Sequence, residues 1–76
     1  MKYRKLDKLV WCSIRPDRAD EIIISLRHYW YQWHAEIAWH SDVSYLFCRH
    51  GFSLPSRGSQ RAALAVGKRW VEEGHV

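Results

Sequence analysis

Long apolar runs are missing from this sequence. No uncharged hydrophobic stretch approaches the ~20 residues that a membrane-crossing helix needs. The start, Met1-Lys2-Tyr3-Arg4-Lys5-Leu6-Asp7, is basic, but no apolar h-region follows it, so a secretory signal is not expected. A cytoplasmic chain without a membrane partner is the expectation. Cysteine is also scarce. Cys12 and Cys48 are the two present, too few for a disulfide framework, and in a reducing compartment both are expected as thiols. Signatures of common chemistry are absent too. There is no phosphate-binding glycine loop, no G-x-S-x-G elbow and no paired-carboxylate motif. Both cysteines lie in apolar stretches, where a thiol is usually an inert small hydrophobe. A chain this short also has little room for a pocket of ~300 Å³ or more. Catalysis is therefore not expected, and neither is a cofactor.

What is abundant is aromatic. Five Trp, four Tyr and two Phe occur in 76 residues. One domain, 1–76, is all that this length allows, and such a domain buries only about 60% of its unfolded surface. Large side chains are the economical way to fill so small a core, so the first role of the aromatics is structural. Charge is uneven. The net charge is +4, with residues 1–18 at +4, residues 19–55 at −2 and residues 56–76 at +2. Basic ends attract phosphate or an acidic protein surface, although they also simply solubilise.

Two breaks divide the chain, Arg15-Pro16-Asp17 and the Pro/Gly/Ser loop Ser53 to Ser59. After the second, Ser59 is placed to cap a helix beginning near Gln60. Ala63, Val66 and Trp70 form its apolar stripe with Leu64 and Val71, and Gly74 stands where a C-cap glycine belongs. Gly67 beside the stripe suits close packing on a sheet. In the centre, Tyr31 to His40 alternates, with Tyr31, Trp33, Ala35, Ile37 and Trp39 on one face and Gln32, His34, Glu36 and His40 on the other. That is the period of a half-buried strand. Glu21 to Arg27 and Val43 to His50 read as its neighbours, with a turn at His40-Ser41-Asp42. Ile22, Leu26, Tyr29, Trp33 and Ile37 also fit a helical stripe capped by Asp17, which would give an all-α three-helix bundle. The β-branched and aromatic content favours strands. Tyr3, Leu6, Val10 and Ile14 fit a helix face, with a short strand over Leu9 to Ile14 as the alternative. The expected fold is α+β: a three-stranded antiparallel sheet with a C-terminal helix on one face and an N-terminal helix, in the order α-β-β-β-α.

Five histidines invite a metal reading. His28, His34 and His40 are spaced six apart, and Cys48 and His50 form a C-x-H pair. Neither matches the local spacings typical of zinc sites, so no metal is expected. His34-Ala35-Glu36 matches half of the zinc deaminase signature, and the P-C-x-x-C half is missing. Ser56-Arg57-Gly58-Ser59-Gln60-Arg61 carries more weight. It puts two Arg, two hydroxyls and a Gly at a helix N-terminus, where free N–H groups and the dipole favour an anion. A capped, solvated loop is the plainer alternative. The candidate binding residues are Arg57, Ser59, Arg61 and Lys68 on the basic C-terminal segment, His34 on the polar strand face, and Trp30 and Tyr45 as exposed aromatics.

The order strand, strand, strand, helix, carried by Trp33-His34-Ala35-Glu36-Ile37, the strand after it and the Ala-rich helix, resembles two groups over roughly residues 20–74. These are the small DNA-binding domains of the plant ethylene-response type and the arm-binding domains of phage integrases. With a leading helix it is also similar to the double-stranded-RNA-binding topology. The basic pair that opens the last helix of that RNA-binding fold has no counterpart here beyond Arg57 and Arg61, and Glu36 lies on the exposed face. The resemblance is one of element order. Binding of nucleic acid or of a nucleic-acid-handling complex is expected from the pI near 9.4, the basic ends, the Arg-bearing loop and exposed His and aromatic groups able to stack on bases. The alternative is a stoichiometric protein-binding inhibitor. Phage and mobile-element accessory proteins, anti-CRISPR proteins among them, share this short, Trp-rich, motif-free character. Its partner would be an acidic or aromatic-accepting protein surface.

Overall fold

The computed structural model describes residues 2–14, 21–40, 47–54 and 59–76. It is a five-stranded antiparallel meander with a C-terminal helix. The strands are β1 (Arg4–Asp7), β2 (Val10–Ile14), β3 (Glu21–Tyr29), β4 (Gln32–His40) and β5 (Phe47–Ser53), followed by α1 (Gln60–Trp70). Each strand pairs with the next, so the order across the sheet is β1-β2-β3-β4-β5. This corrects the expected fold: the sheet has five strands rather than three, there is no N-terminal helix, and the three-helix bundle is excluded.

The N-terminal segment is a hairpin for a reason that its apolar spacing hides. Asp7 and Val10 are paired, leaving Lys8 and Leu9 as a two-residue loop. The Lys8 amide donates to the Asp7 carboxylate at 2.7 Å, a local bond that closes the turn without Gly or Asn. Tyr3, Leu6, Val10 and Ile14 share a helical spacing but form no common face here, because Leu6 and Ile14 are exposed while Tyr3 packs against the core. The central expectation fares better: β3 and β4 run much as the alternation implies, except that Tyr31 lies in the turn and not in the strand. The last strand, Phe47–Ser53, runs past the expected end at His50, and the expected start over residues 43–46 lies outside the described residues.

Strand register sorts the side chains into two faces. Trp11, Ile24 and Ile37 stand in one row across β2, β3 and β4, and Ser13, Ile22 and Trp39 in another. This is the face that α1 covers. Ile22, Ile24 and Ile37 are completely buried, each contributing about 1.5–3 kcal/mol of burial free energy. The helix presents Ala63, Gly67 and Val71 to them. A Cβ at Gly67 would stand 3.2 Å from Ile24 Cγ2, so the missing side chain sets the helix-to-sheet distance. The Ser59 hydroxyl accepts from the Ala62 amide at 3.1 Å and caps the helix as its position implies. At the other end Gly74 has φ 87°, which turns the chain within the final wide turn, Val71–His75. His75 then stacks on Trp70 at 4.7 Å, and His50 from β5 stacks on Trp70 at 4.5 Å. Trp39 and Phe52 close the cluster, so Trp70 joins helix to sheet as the sequence implies, although half-buried.

No helix among the described residues is long and apolar enough to cross a membrane.

Candidate functional site

α1 covers one face; on the other face of β3, β4 and β5 most of the described side chains are exposed, although Ala38 is buried. Alternation places Ser25, Arg27 and Tyr29 of β3 on it, with His34, Glu36, Ala38 and His40 of β4 and Phe47, Arg49, Gly51 and Ser53 of β5. Cross-strand pairing decides which of these meet. Arg27, His34 and Ser53 form one row, and Ser25, Glu36 and Gly51 the next. Gly51 contributes no side chain, and a Cβ built there would meet only the Ala35 carbonyl oxygen, at an ordinary 3.7 Å. The result is a hollow of about 390 Å³ whose floor is strand backbone and whose walls are Ser25, Arg27, Tyr29, His34, Glu36 and Ser53. The chain therefore makes more room than its length leads one to expect, by leaving a sheet face uncovered rather than by enclosing a cavity.

The walls are fixed by their own contacts. The Arg27 guanidinium donates to the Tyr29 hydroxyl at 3.2 Å. That bond, with Coulomb attraction to Tyr29 and Glu36, holds the Arg27 pKa above its ordinary value. Tyr29 meets the His34 ring edge-on at 5.3 Å, and His34 Nδ1 shares a proton contact of 2.8 Å with the Ser53 hydroxyl. A serine beside an imidazole is half of a nucleophile–base pair, but here it follows simply from His34 and Ser53 being register partners. Further along the face, Arg49 lies over the Phe47 ring at 5.3 Å, and His40 meets Phe47 edge-on at 5.0 Å.

The β3–β4 hairpin carries the open face to its tip. Tyr29 pairs with Gln32, so Trp30 and Tyr31 are the loop. They are 89% and 78% exposed. Trp30 has φ 55°, and it is the one described non-glycine residue in the left-handed region. An L-residue pays roughly 1–2 kcal/mol for that conformation, and Gly or Asn would pay less. Comparison of the chain with protein families, with curated proteins and with solved structures finds no match. The site therefore stands on its geometry.

The candidates read from the sequence fall into separate places. Trp30 is at the hairpin tip and His34 in the open-face hollow. Ser59 is occupied as the helix cap, Arg61 is exposed in the first turn of α1, and Lys68 lies over the Tyr3 ring at 5.0 Å. These three belong to the helix, on the opposite side of the sheet from His34. Arg57 and Tyr45 lie outside the described residues. Cys12 and Cys48 are not disulfide-bonded and, by register, lie on opposite faces. Among the described residues no group of three or more His, Cys, Asp or Glu converges as a metal site. Sequence reasoning missed Arg27, Tyr29, Glu36, Arg49, Gly51 and Ser53. The available signal was the polar side of the alternation it had already assigned to β4, extended across the neighbouring strands.

Proposed function

We propose that this chain is a binding protein without catalytic activity that holds single-stranded nucleic acid on the open face of its sheet. The observation that carries this reading is Trp30, almost fully exposed in a left-handed conformation at the tip of the hairpin that leads into the hollow. A bulky apolar residue held in a costly conformation and left in solvent is a recurrent mark of a contact surface. Around it the open face carries rings and guanidinium groups: Tyr29, then Arg27, then Arg49 and Phe47. Single strands are bound by this combination, with bases stacking on aromatic rings and phosphates meeting cations. The net charge of +4 favours a polyanion as well. A duplex reader would instead be expected to offer one helix or ribbon to a groove.

The test is fluorescence anisotropy of a labelled thymine oligonucleotide about 12 nucleotides long, within the range of single-strand site sizes, titrated at several salt concentrations. Affinity should fall as salt rises. Arg49→Ala should weaken binding and lower the slope of log K against log salt by about 0.7, the value for one lost phosphate contact on a single strand. Arg49 is exposed, so folding should persist. Absence of binding at low salt would overturn the reading and leave the Trp30–Tyr31 tip to a protein partner.

A further inference from the structure

We infer that the open-face hollow reads one base of the bound strand and that this base is guanine, an inference that rests on the single-strand reading above. The hollow offers a mixed set of groups. Glu36 presents a carboxylate, an acceptor on both oxygens, beside the space that Gly51 leaves empty. In the adjoining row Arg27 presents donors only, its guanidinium steadied by the Tyr29 hydroxyl at 3.2 Å. The pair narrows the ligand by elimination. A phosphate would be repelled by Glu36. A metal cation would be repelled by Arg27 and would find a single carboxylate among the described walls.

A planar base with donors on one edge and acceptors on the next suits both groups. Guanine has that pattern. Its N1–H and N2–H are adjacent donors that match the two oxygens of a carboxylate, and its O6 and N7 are the acceptors that arginine engages with two parallel bonds. Adenine reverses both, with an acceptor at N1 facing the carboxylate and a donor at N6 facing the guanidinium. Thymine and cytosine each place at least one acceptor against Glu36. The Tyr29 ring at the rim supplies a surface for stacking.

The experiment compares three labelled strands by anisotropy: the all-thymine 12-mer, the same strand with one central guanine, and the same strand with one central adenine. The guanine strand should bind about tenfold tighter than the other two, as expected for one well-placed bidentate contact. Glu36→Gln should bring the three strands within about twofold of one another, since the directional contact that favours guanine is lost. Gly51→Leu, which fills the hollow from an exposed position, should remove the preference in the same way. Guanosine monophosphate should displace the strand only far above the strand's own Kd. Displacement at comparable concentration would make the free nucleotide the ligand and overturn the inference. Equal affinity for all three strands would overturn the guanine assignment and leave single-strand binding standing. No binding to any strand would overturn both.

Discussion

Trp30 is the residue at which fold and function pull in opposite directions. Its φ of 55° is a position that Asn occupies at lower cost, so Trp30→Asn should stabilise the domain by about 0.5–1 kcal/mol. The same change removes an exposed ring and should weaken strand binding about tenfold, in line with the value of one base stack. Urea midpoint and anisotropy on the same variant check both halves. A variant that is less stable, or that binds as well as the parent, would count against the ring as an anchor. Tyr3 poses a different residue-level question. Its hydroxyl is buried with no hydrogen-bond partner among the described residues, under the Lys68 ammonium that lies over its ring. Burial, with the charge of Glu72 adding to it, pushes the Tyr3 pKa above its ordinary 10.0. The folded state therefore holds this proton more tightly than the unfolded chain does. Its contribution is intact below the unfolded pKa and is lost as pH rises through the folded one, so stability should fall above about pH 10. Tyr3→Phe should flatten that fall and gain up to about 1 kcal/mol near neutral pH by removing an unsatisfied buried group. Urea midpoints at neutral and alkaline pH decide it, and an unchanged alkaline slope would point to another group.

Among the elements, α1 and β3 are locked through one close approach. Helix propensity alone favours Gly67→Ala by about 1 kcal/mol. The new Cβ would stand 3.2 Å from Cγ2 of a completely buried, β-branched Ile24, which has little freedom to retreat. Overpacking should win, giving a net loss of about 1 kcal/mol in thermal or urea unfolding. A more stable Gly67→Ala would show that the helix rides higher on the sheet. The same elements mark what the sequence discloses. β4 is legible because one of its faces is covered and the other largely wet, which writes alternation into Trp33 to His40 except at Ala38. α1 is legible because Ser59 and Gly74 punctuate it. The β1–β2 hairpin is not legible, because Asp7 supplies its turn bond from a side chain and Lys8-Leu9 carries no glycine. Tyr3, Leu6, Val10 and Ile14 meanwhile imitate a helical stripe although they share no buried face, Leu6 and Ile14 being exposed. The hollow was hidden for a similar reason. Arg27, Glu36 and Gly51 come from three strands, and only cross-strand register brings them together.

At the scale of the molecule, the design is a sheet with one face spent on a core and the other kept for contact. Among the described residues α1 is enough to bury Ile22, Ile24 and Ile37, and most side chains on the far side of β3–β5 stay exposed. The basic helix N-terminus with Ser59 and Arg61 lies on the covered side, so two distinct surfaces compete as the seat of binding. They are separated by the thickness of the sheet, which makes them easy to tell apart. Backbone amide NMR of the labelled domain, titrated with the thymine 12-mer, distinguishes them directly. Binding on the open face should shift Arg27, Tyr29, Trp30, Tyr31, His34 and Gly51 progressively and leave Ser59 to Lys68 in place. Shifts concentrated at Ser59, Arg61 and the first turn of α1, with the hairpin tip and the hollow unmoved, would contradict the account.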